Sequence, residues 1–254
     1  MTNDSLFSLR RLAVLGCLAG AALVAAARWG AGRLPAPGEI ASELLQAPAQ
    51  GPSGREAFAF AYRGRACRVR PVASYELWGL VVSHNDVKSV ADIYHDRSSV
   101  DTKDVCVVWG DNLRRDDYRR VKFWSGPFTC YFRIPDGASF ALDGAGNNHL
   151  LTDRPQVRRV ISGVHVGDQV HLKGLLVDYQ MDDWEGFWRR TSTARNDSDC
   201  EVVFVESLEV LRRGTPGWYA ARRLGWLLLF GGAAFWLGFF AIEAGRGTGS
   251  VGRL

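Results

Sequence analysis

Two apolar stretches, residues 12–27 and 224–242, bracket one continuous polar chain and restrict it to folds in which both ends are held in an apolar solvent. The second stretch carries no charged residue, and at about 1.5 Å per residue a helix of that length crosses roughly 30 Å of hydrocarbon. Arg222 and Arg223 precede it, Glu243 and Arg246 follow, and Trp218 and Tyr219 stand where amphipathic rings favour the headgroup layer. A buried soluble helix so long would keep a polar face. A transmembrane helix is therefore expected over 224–243.

The first stretch is shorter and follows Arg10 and Arg11. It reads as an uncleaved anchor over 12–29. The alternative is the apolar region of a signal peptide, since Ala25-Ala26-Ala27 offers small residues for cleavage. Gly16 and Gly20 form a GxxxG, and Ala234 with Gly238 a small-xxx-small pair. Such faces let helix backbones approach closely in lipid, so the helices can pack on each other or self-associate between copies, unless the spacing is chance in an Ala/Gly-rich segment. The lipid bilayer is the first expected partner.

Charge and export pull in opposite directions. Arg28, Arg33, Arg212, Arg213, Arg222 and Arg223 lie on the domain side of the spans, against Arg10, Arg11, Arg246 and Arg253 beyond them, which favours a cytosolic domain. The export-like N-terminus, and the indifference of long translocated domains to their own charge, favour the opposite. The expectation is a domain outside the cytoplasm. Cys67, Cys106, Cys130 and Cys200 would permit disulfides there in any of several pairings. Cys106 and Cys130 sit within apolar runs, where a free Cys behaves as a small hydrophobe, so buried thiols are the preferred reading.

Residues 1–11 read as an N-terminal tail, 30–57 as a Pro/Ala/Gly-rich linker, 58–211 as one β-rich globular domain, 212–223 as a juxtamembrane segment and 244–254 as a flexible tail. The net charge of +4 owes much to the juxtamembrane arginines and leaves no nucleic-acid footprint. Runs rich in Val, Phe, Tyr and Trp at 75–83, 104–109, 119–124, 128–134, 169–179 and 200–211 predict strands, separated by breakers such as Gly126-Pro127 and Gly144 to Asn148. A hairpin is expected between 128–134 and 138–142 around Asp136-Gly137. One helix is predicted, with Thr152 or Asp153 as cap, Pro155 in its first turn, Val157, Val160 and Ile161 as its apolar face, and Arg158 and Arg159 outward. It feeds a Gly167-Asp168 turn and a strand in which Gly174 permits a bend or bulge. That pattern is similar to the barrel strands of OB-fold-like modules. The predicted class is mainly β with one short helix, a small β-barrel or OB-like arrangement (alternatively a β-sandwich), flanked by two transmembrane helices.

The connection 179–199 is too long for an ordinary hairpin, and long connections in compact domains are commonly functional or disordered. It holds Asp182, Asp183 and Glu185, then Trp184 and Trp188, then Arg189, Arg190 and Arg195. The carboxylates could hold a hard cation, although their spacing fits no known calcium loop, and cation–π contacts could order the segment. A solvated surface loop is the plain alternative. Asn147, Asn148 and His149 follow a Gly-rich approach to the predicted helix, where amides and an imidazole can bind an anion or position a water, or simply satisfy turns. His95, beside Asp96 and Arg97, and His84 lie in the polar connection 83–103, where acid–base work depends on geometry. Trp184, Trp188, Arg189, Arg190, Asn147 and Asn148 are thus candidate ligand contacts. His149, His95, Asp182, Asp183 and Glu185 are the candidates for any catalysis.

No metal or cofactor is expected. There is no Cys-x-x-Cys or His-x-x-x-His, and the Gly-x-Gly-x-x-Gly at 247–252 lacks a strand–turn–helix around it. Cys200 is disfavoured as a nucleophile by Asp199 and Glu201. Asn196-Asp197-Ser198 matches a glycosylation sequon.

Glu76-Leu77-Trp78-Gly79-Leu80-Val81-Val82-Ser83, Val107-Val108-Trp109-Gly110-Asp111-Asn112, Asn147-Asn148-His149-Leu150-Leu151 and the stretch 167–206 together resemble a group of uncharacterised bacterial membrane-anchored proteins with an exported domain. The resemblance covers roughly 75–211. It implies export at a bacterial inner membrane and carries no activity; the second span departs from the group's usual single anchor. The expected role is a binding or assembly module of the cell envelope, with envelope proteins, small molecules or polysaccharide as partners. A membrane-bound hydrolase using His149 and the Asp182/Asp183/Glu185 loop is the alternative, and a cytosolic-side scaffold a further one.

Overall fold

Alternating side chains from Arg65 to Asn85 make one long strand, β3, much longer than the 75–83 run that predicted it. In this computed structural model the described residues are 3–87, 99–126, 129–195 and 199–247. They form two compact units, Gly32–Gly214 and the two terminal segments.

In the first unit, β1 (Ala49–Pro52) and β2 (Phe58–Tyr62) pair antiparallel with β3. Arg63 and Gly64 join β2 to β3 with φ of 52° and 81°, the two-residue turn whose twist suits a hairpin. The other large strands are β4 (Asp101–Val108), β7 (Ala145–Leu151), β8 (Gln169–Met181) and β9 (Glu201–Arg212). β3 pairs antiparallel with β4, β4 antiparallel with β7, β7 parallel with β9, and β9 antiparallel with β8. β8 then pairs antiparallel with β3, so the pairings return to their start in a seven-stranded sheet. Shifts of register between Pro71 and Ala73 and between Val81 and Ser83 let β3 serve two neighbours. Gly174 supplies the expected bend: the β8–β9 register shifts there, and a Cβ on it would meet the Phe204 carbonyl oxygen at 2.2 Å.

Helix α2 (Pro155–Ser162) lies between β7 and β8 in the chain, with Pro155 at its start. Ile161, with Val157 and Val160 partly buried, seals a core that includes Tyr75, Leu77, Val105, Leu150, Leu172 and Val203. Its cap differs from expectation. Arg154 occupies the N-cap without a side-chain bond, while Thr152 Oγ1 accepts from Arg154 N at 3.2 Å and donates to the Val205 carbonyl at 2.9 Å. Arg158 lies 4.6 Å over the Tyr62 ring instead of pointing outward. Lys103 is fully buried, and its Nζ donates to the carbonyls of Ser162 and Val164 at 3.2 and 2.7 Å while meeting Asp86 at 2.8 Å. It thereby satisfies carbonyls left open at the end of the helix.

The hairpin falls elsewhere than its sequence suggests. β5 (Lys122–Gly126) pairs with β6 (Thr129–Arg133), so the hairpin joins the runs expected at 119–124 and 128–134. Asp136-Gly137 makes a separate turn, with Ala138 N bonding the Pro135 carbonyl at 3.1 Å. This hairpin brings Cys130 to Cys106 on β4, and the two form a disulfide. The preference for buried thiols at these positions is therefore overturned; Cys67 and Cys200 remain thiols. The segment expected as a linker carries two short 3-10 turns and β1, with Leu44 fully buried. β7 was masked in the sequence by its Gly and Asn residues, which resemble a loop.

The second unit contains α1 (Asn3–Gly30) and α3 (Pro216–Gly247). Within them, Ser8–Gly30 and Pro216–Ile242 are long and apolar enough to cross a membrane. The helices run antiparallel at close quarters. A Cβ on Gly20 would lie 2.6 Å from Gly225 O, and one on Gly232 2.7 Å from Cys17 Sγ. Gly16 and Gly238, by contrast, have nothing within 4 Å of a Cβ. Gly20→Leu should therefore part the helices, overpacking being worth about 1–3 kcal/mol. Oxidative crosslinking of Cys17 to a Gly232→Cys chain reads this out: efficient alone, lost when Gly20→Leu is added. Undiminished crosslinking would show that the pair tolerates a side chain there.

Candidate functional site

Polar residues occupy β4, β7 and the entry to β9 where a sheet centre usually carries aliphatics. The β4–β7 register sets Asp104 directly opposite His149. His149 Nδ1 and Asp104 Oδ1 are 2.6 Å apart, and both side chains are sealed, at 0% and 1% exposure. Because side chains on a strand alternate between faces, Asn147 shares the face of His149. The parallel β7–β9 register, which pairs Asn148 with Glu201 and His149 with Val202, places Cys200 beside Asn147. Asn147 Nδ2 donates to Cys200 Sγ at 3.4 Å.

The electrostatics follow from burial and these contacts. Burial by itself would lower the His149 pKa, but hydrogen bonds with Asp104 and the Cys200 thiol and the Asp104 charge outweigh it and raise it to about 9. Asp101 is buried nearby and accepts a 3.0 Å hydrogen bond from Tyr179 Oη; burial pushes its carboxyl up. Cys67, fully buried, has its thiol pushed up to about 12, first by burial and then by the Asp101 charge. Cys67 is thus an inert thiol.

The long connection between β8 and β9 is tied to the sheet over much of its course. Tyr179 and Arg189 exchange backbone hydrogen bonds of 2.9 Å, and Trp184 packs 5.4 Å from the Tyr179 ring. Arg70 stands 3.8 Å over Trp188, a cation–π contact supplied by β3 and not by the connection itself. Thr191 N donates to Asp178 Oδ1 at 3.0 Å, and Ser192 N to the Cys200 carbonyl at 3.0 Å. Asp182 and Asp183 both pair with Arg65. Glu185 and Arg190 are exposed.

The sequence candidates therefore separate. His149 is buried against Asp104, while Asp182 and Asp183 are engaged by Arg65 on the exposed side of the connection. Among the described residues no group of three or more metal-ligating side chains forms. Asn148 is sealed on the opposite face from His149, and neither atom of its amide finds a hydrogen-bond partner. His95 and the sequon at 196–198 lie outside the described residues, as does the tail from 248 onward.

A cleft of about 290 Å³ opens over β4 and β7, between the β5–β6 hairpin and the end of the long connection. Phe132 and Leu142 give it apolar walls, and Asn147, Arg195, Asp199 and Glu201 give it polar ones; the Cys106–Cys130 disulfide borders it. Asp104 goes unrecognised in the sequence, where Cys200 figures only as a disfavoured nucleophile. Asp104 is the polar residue heading the apolar run 104–109, but only the strand register reveals what stands opposite it. Comparison with protein-family models, with curated proteins and with solved structures finds no match for the chain.

Proposed function

We propose that this chain is a membrane-anchored binding module whose β domain is an OB-like barrel, taking a saccharide ligand of the bacterial cell envelope in the cleft over β4 and β7. The observation that carries this reading is the order of pairings: β3, β4, β7, β9, β8 and back to β3, with β7 and β9 parallel and α2 between β7 and β8, the third and fourth of these strands in chain order. OB-folds bind oligonucleotides and oligosaccharides on the face of their second and third strands, beneath the connection between the fourth and fifth. The cleft occupies that place. Its volume lies at the small end of ligand sites, which run from about 300 Å³ upward. Asp199 and Glu201 in its wall oppose a polyphosphate, and Arg195 is its one cation among the described residues, whereas apolar faces beside amide and carboxylate groups suit sugar rings.

The Cys106–Cys130 disulfide supports a domain outside the cytoplasm, because such bonds persist in oxidising compartments. The two apolar helices would anchor it in the inner membrane, with the bilayer as partner. The full chain in nanodiscs, titrated calorimetrically with soluble cell-wall glycan fragments and with oligothymidylate, tests the reading. Saturable glycan binding, weakened about tenfold or more by Asn147→Ala, is expected. Preference for the oligonucleotide, or glycan binding indifferent to Asn147→Ala and Leu142→Trp, would refute it.

A further inference from the structure

The residues that follow the first apolar helix are part of the β domain and not a loose tether. Gly32, Arg33 and Leu34 form one side of a cavity of about 460 Å³, whose other walls include Arg119, Val121 and Phe123. Just beyond it the segment is pinned, because fully buried Tyr118 donates its hydroxyl hydrogen to the Pro35 carbonyl. Leu34 packs against the core that contains Leu80, Val108 and Tyr118. Val166, on the far wall, precedes Gly167, where a Cβ would lie 2.9 Å from the Arg33 carbonyl oxygen. Every lining residue thus belongs to the unit Gly32–Gly214.

The lining is chemically two-sided. Among the described residues its charged members are Arg33 and Arg119, and no carboxylate lines it. Asp116 binds Arg119 Nη1 at 2.9 Å from outside the lining, which occupies one of the several N–H donors that a guanidinium carries. Guanidinium groups match the oxygens of a phosphate, two donors at a time. Opposite them, Leu34, Val121 and Phe123 offer carbon to carbon. A free phosphate would leave that wall wet, whereas a phospholipid carries glycerol and acyl carbons next to its phosphate.

Chain length supplies the location. Gly32 stands two residues past Gly30, the end of the first membrane-length helix, and Gly214 two residues before Pro216, the start of the second. Two residues reach about 7 Å at most. The polar layer on each side of the hydrocarbon is roughly 5–7 Å deep. Connections this short leave Gly32 and Gly214 in the headgroup layer of any bilayer that the helices span, and the inference rests on that anchoring. We propose that the cavity receives the headgroup of an anionic phospholipid, with Arg33 and Arg119 taking its phosphate oxygens and Leu34, Val121 and Phe123 covering its glycerol and first acyl carbons.

Alkaline carbonate extraction of membranes holding the full chain tests the anchoring by itself. Retention is expected; release would overturn the anchoring and the headgroup site with it. For the site, the full chain in detergent is equilibrated with equal amounts of phosphatidylglycerol and phosphatidylcholine, and retained lipid is counted by native mass spectrometry. Preferential retention of one phosphatidylglycerol per chain is expected. Arg33 and Arg119 are exposed, so replacing them leaves the fold intact. Arg33→Gln and Arg119→Gln should each reduce that retention about tenfold, since either loses a charge-assisted hydrogen bond. Lipid that merely rings the helices would survive both substitutions, because neither alters a helix. Equal retention of the two lipids, or phosphatidylglycerol retention undiminished in the double variant, overturns the site even where carbonate leaves the chain in the membrane. An equal fall in Arg68→Gln, which removes an exposed charge on β3 outside the cavity, would mark the effect as net charge and overturn it too.

Discussion

Raising the pH from about 6.5 to about 9 should cost the folded domain roughly 3 kcal/mol of stability, and Asp104→Asn should abolish that dependence. The folded pKa of His149 lies above the 6.5 of an ordinary histidine, so folding favours the protonated ring. Its contribution is complete below pH 6.5 and disappears as pH climbs through about 9. Asp104→Ala would go further, stranding a buried imidazolium at a cost of about 3–5 kcal/mol. Urea titrations of the full chain in detergent, followed by tryptophan fluorescence across this pH range, measure both. A wild-type stability that is flat between these values would show that the ring is neutral in the fold.

Cys106→Ser should lower stability by about 3 kcal/mol, because the disulfide closes a loop of sequence separation 24. The same loss should follow reduction of the native protein, and Cys130→Ser should equal Cys106→Ser within error, since either removes the same constraint. The β5–β6 hairpin would suffer first, being a separate two-stranded sheet. Protease cleavage near Phe132 and Leu142 should therefore quicken in either variant. A reductant that leaves both the urea midpoint and the cleavage rate unchanged would show that the bond adds nothing to the fold.

Much of the architecture was legible because it depends on short-range chemistry. Pro155 with Val157, Val160 and Ile161 announces α2, Gly174 announces a bend in β8, and the two long apolar stretches announce α1 and α3. β7 was not legible. Its sequence, Ala-Gly-Asn-Asn-His-Leu-Leu, has the composition of a turn, and only pairing with β4 and β9 makes it a strand. β1 and β2 escaped for a similar reason, since both lean on β3. The site shares that difficulty. Asp104 and His149, like Asn147 and Cys200, are far apart in sequence and meet because the strands register them, which no local pattern encodes. Asp182 and Asp183 attracted notice because they are adjacent in sequence, yet the fold gives them to Arg65.

The two ends of the β domain converge on a single glycine. A Cβ on Gly167 would lie 2.9 Å from the Arg33 carbonyl oxygen, and one on Gly214 would lie 2.5 Å from the Gly167 carbonyl carbon. Gly214 N and Arg213 also bond the buried carboxylate of Asp168. The domain therefore enters and leaves through one doorway, as an inserted cassette does. Excising it at Gly32 and Gly214 and bridging the gap with a short turn asks little of the flanking chain, and a different cassette with equally close ends could be spliced in its place.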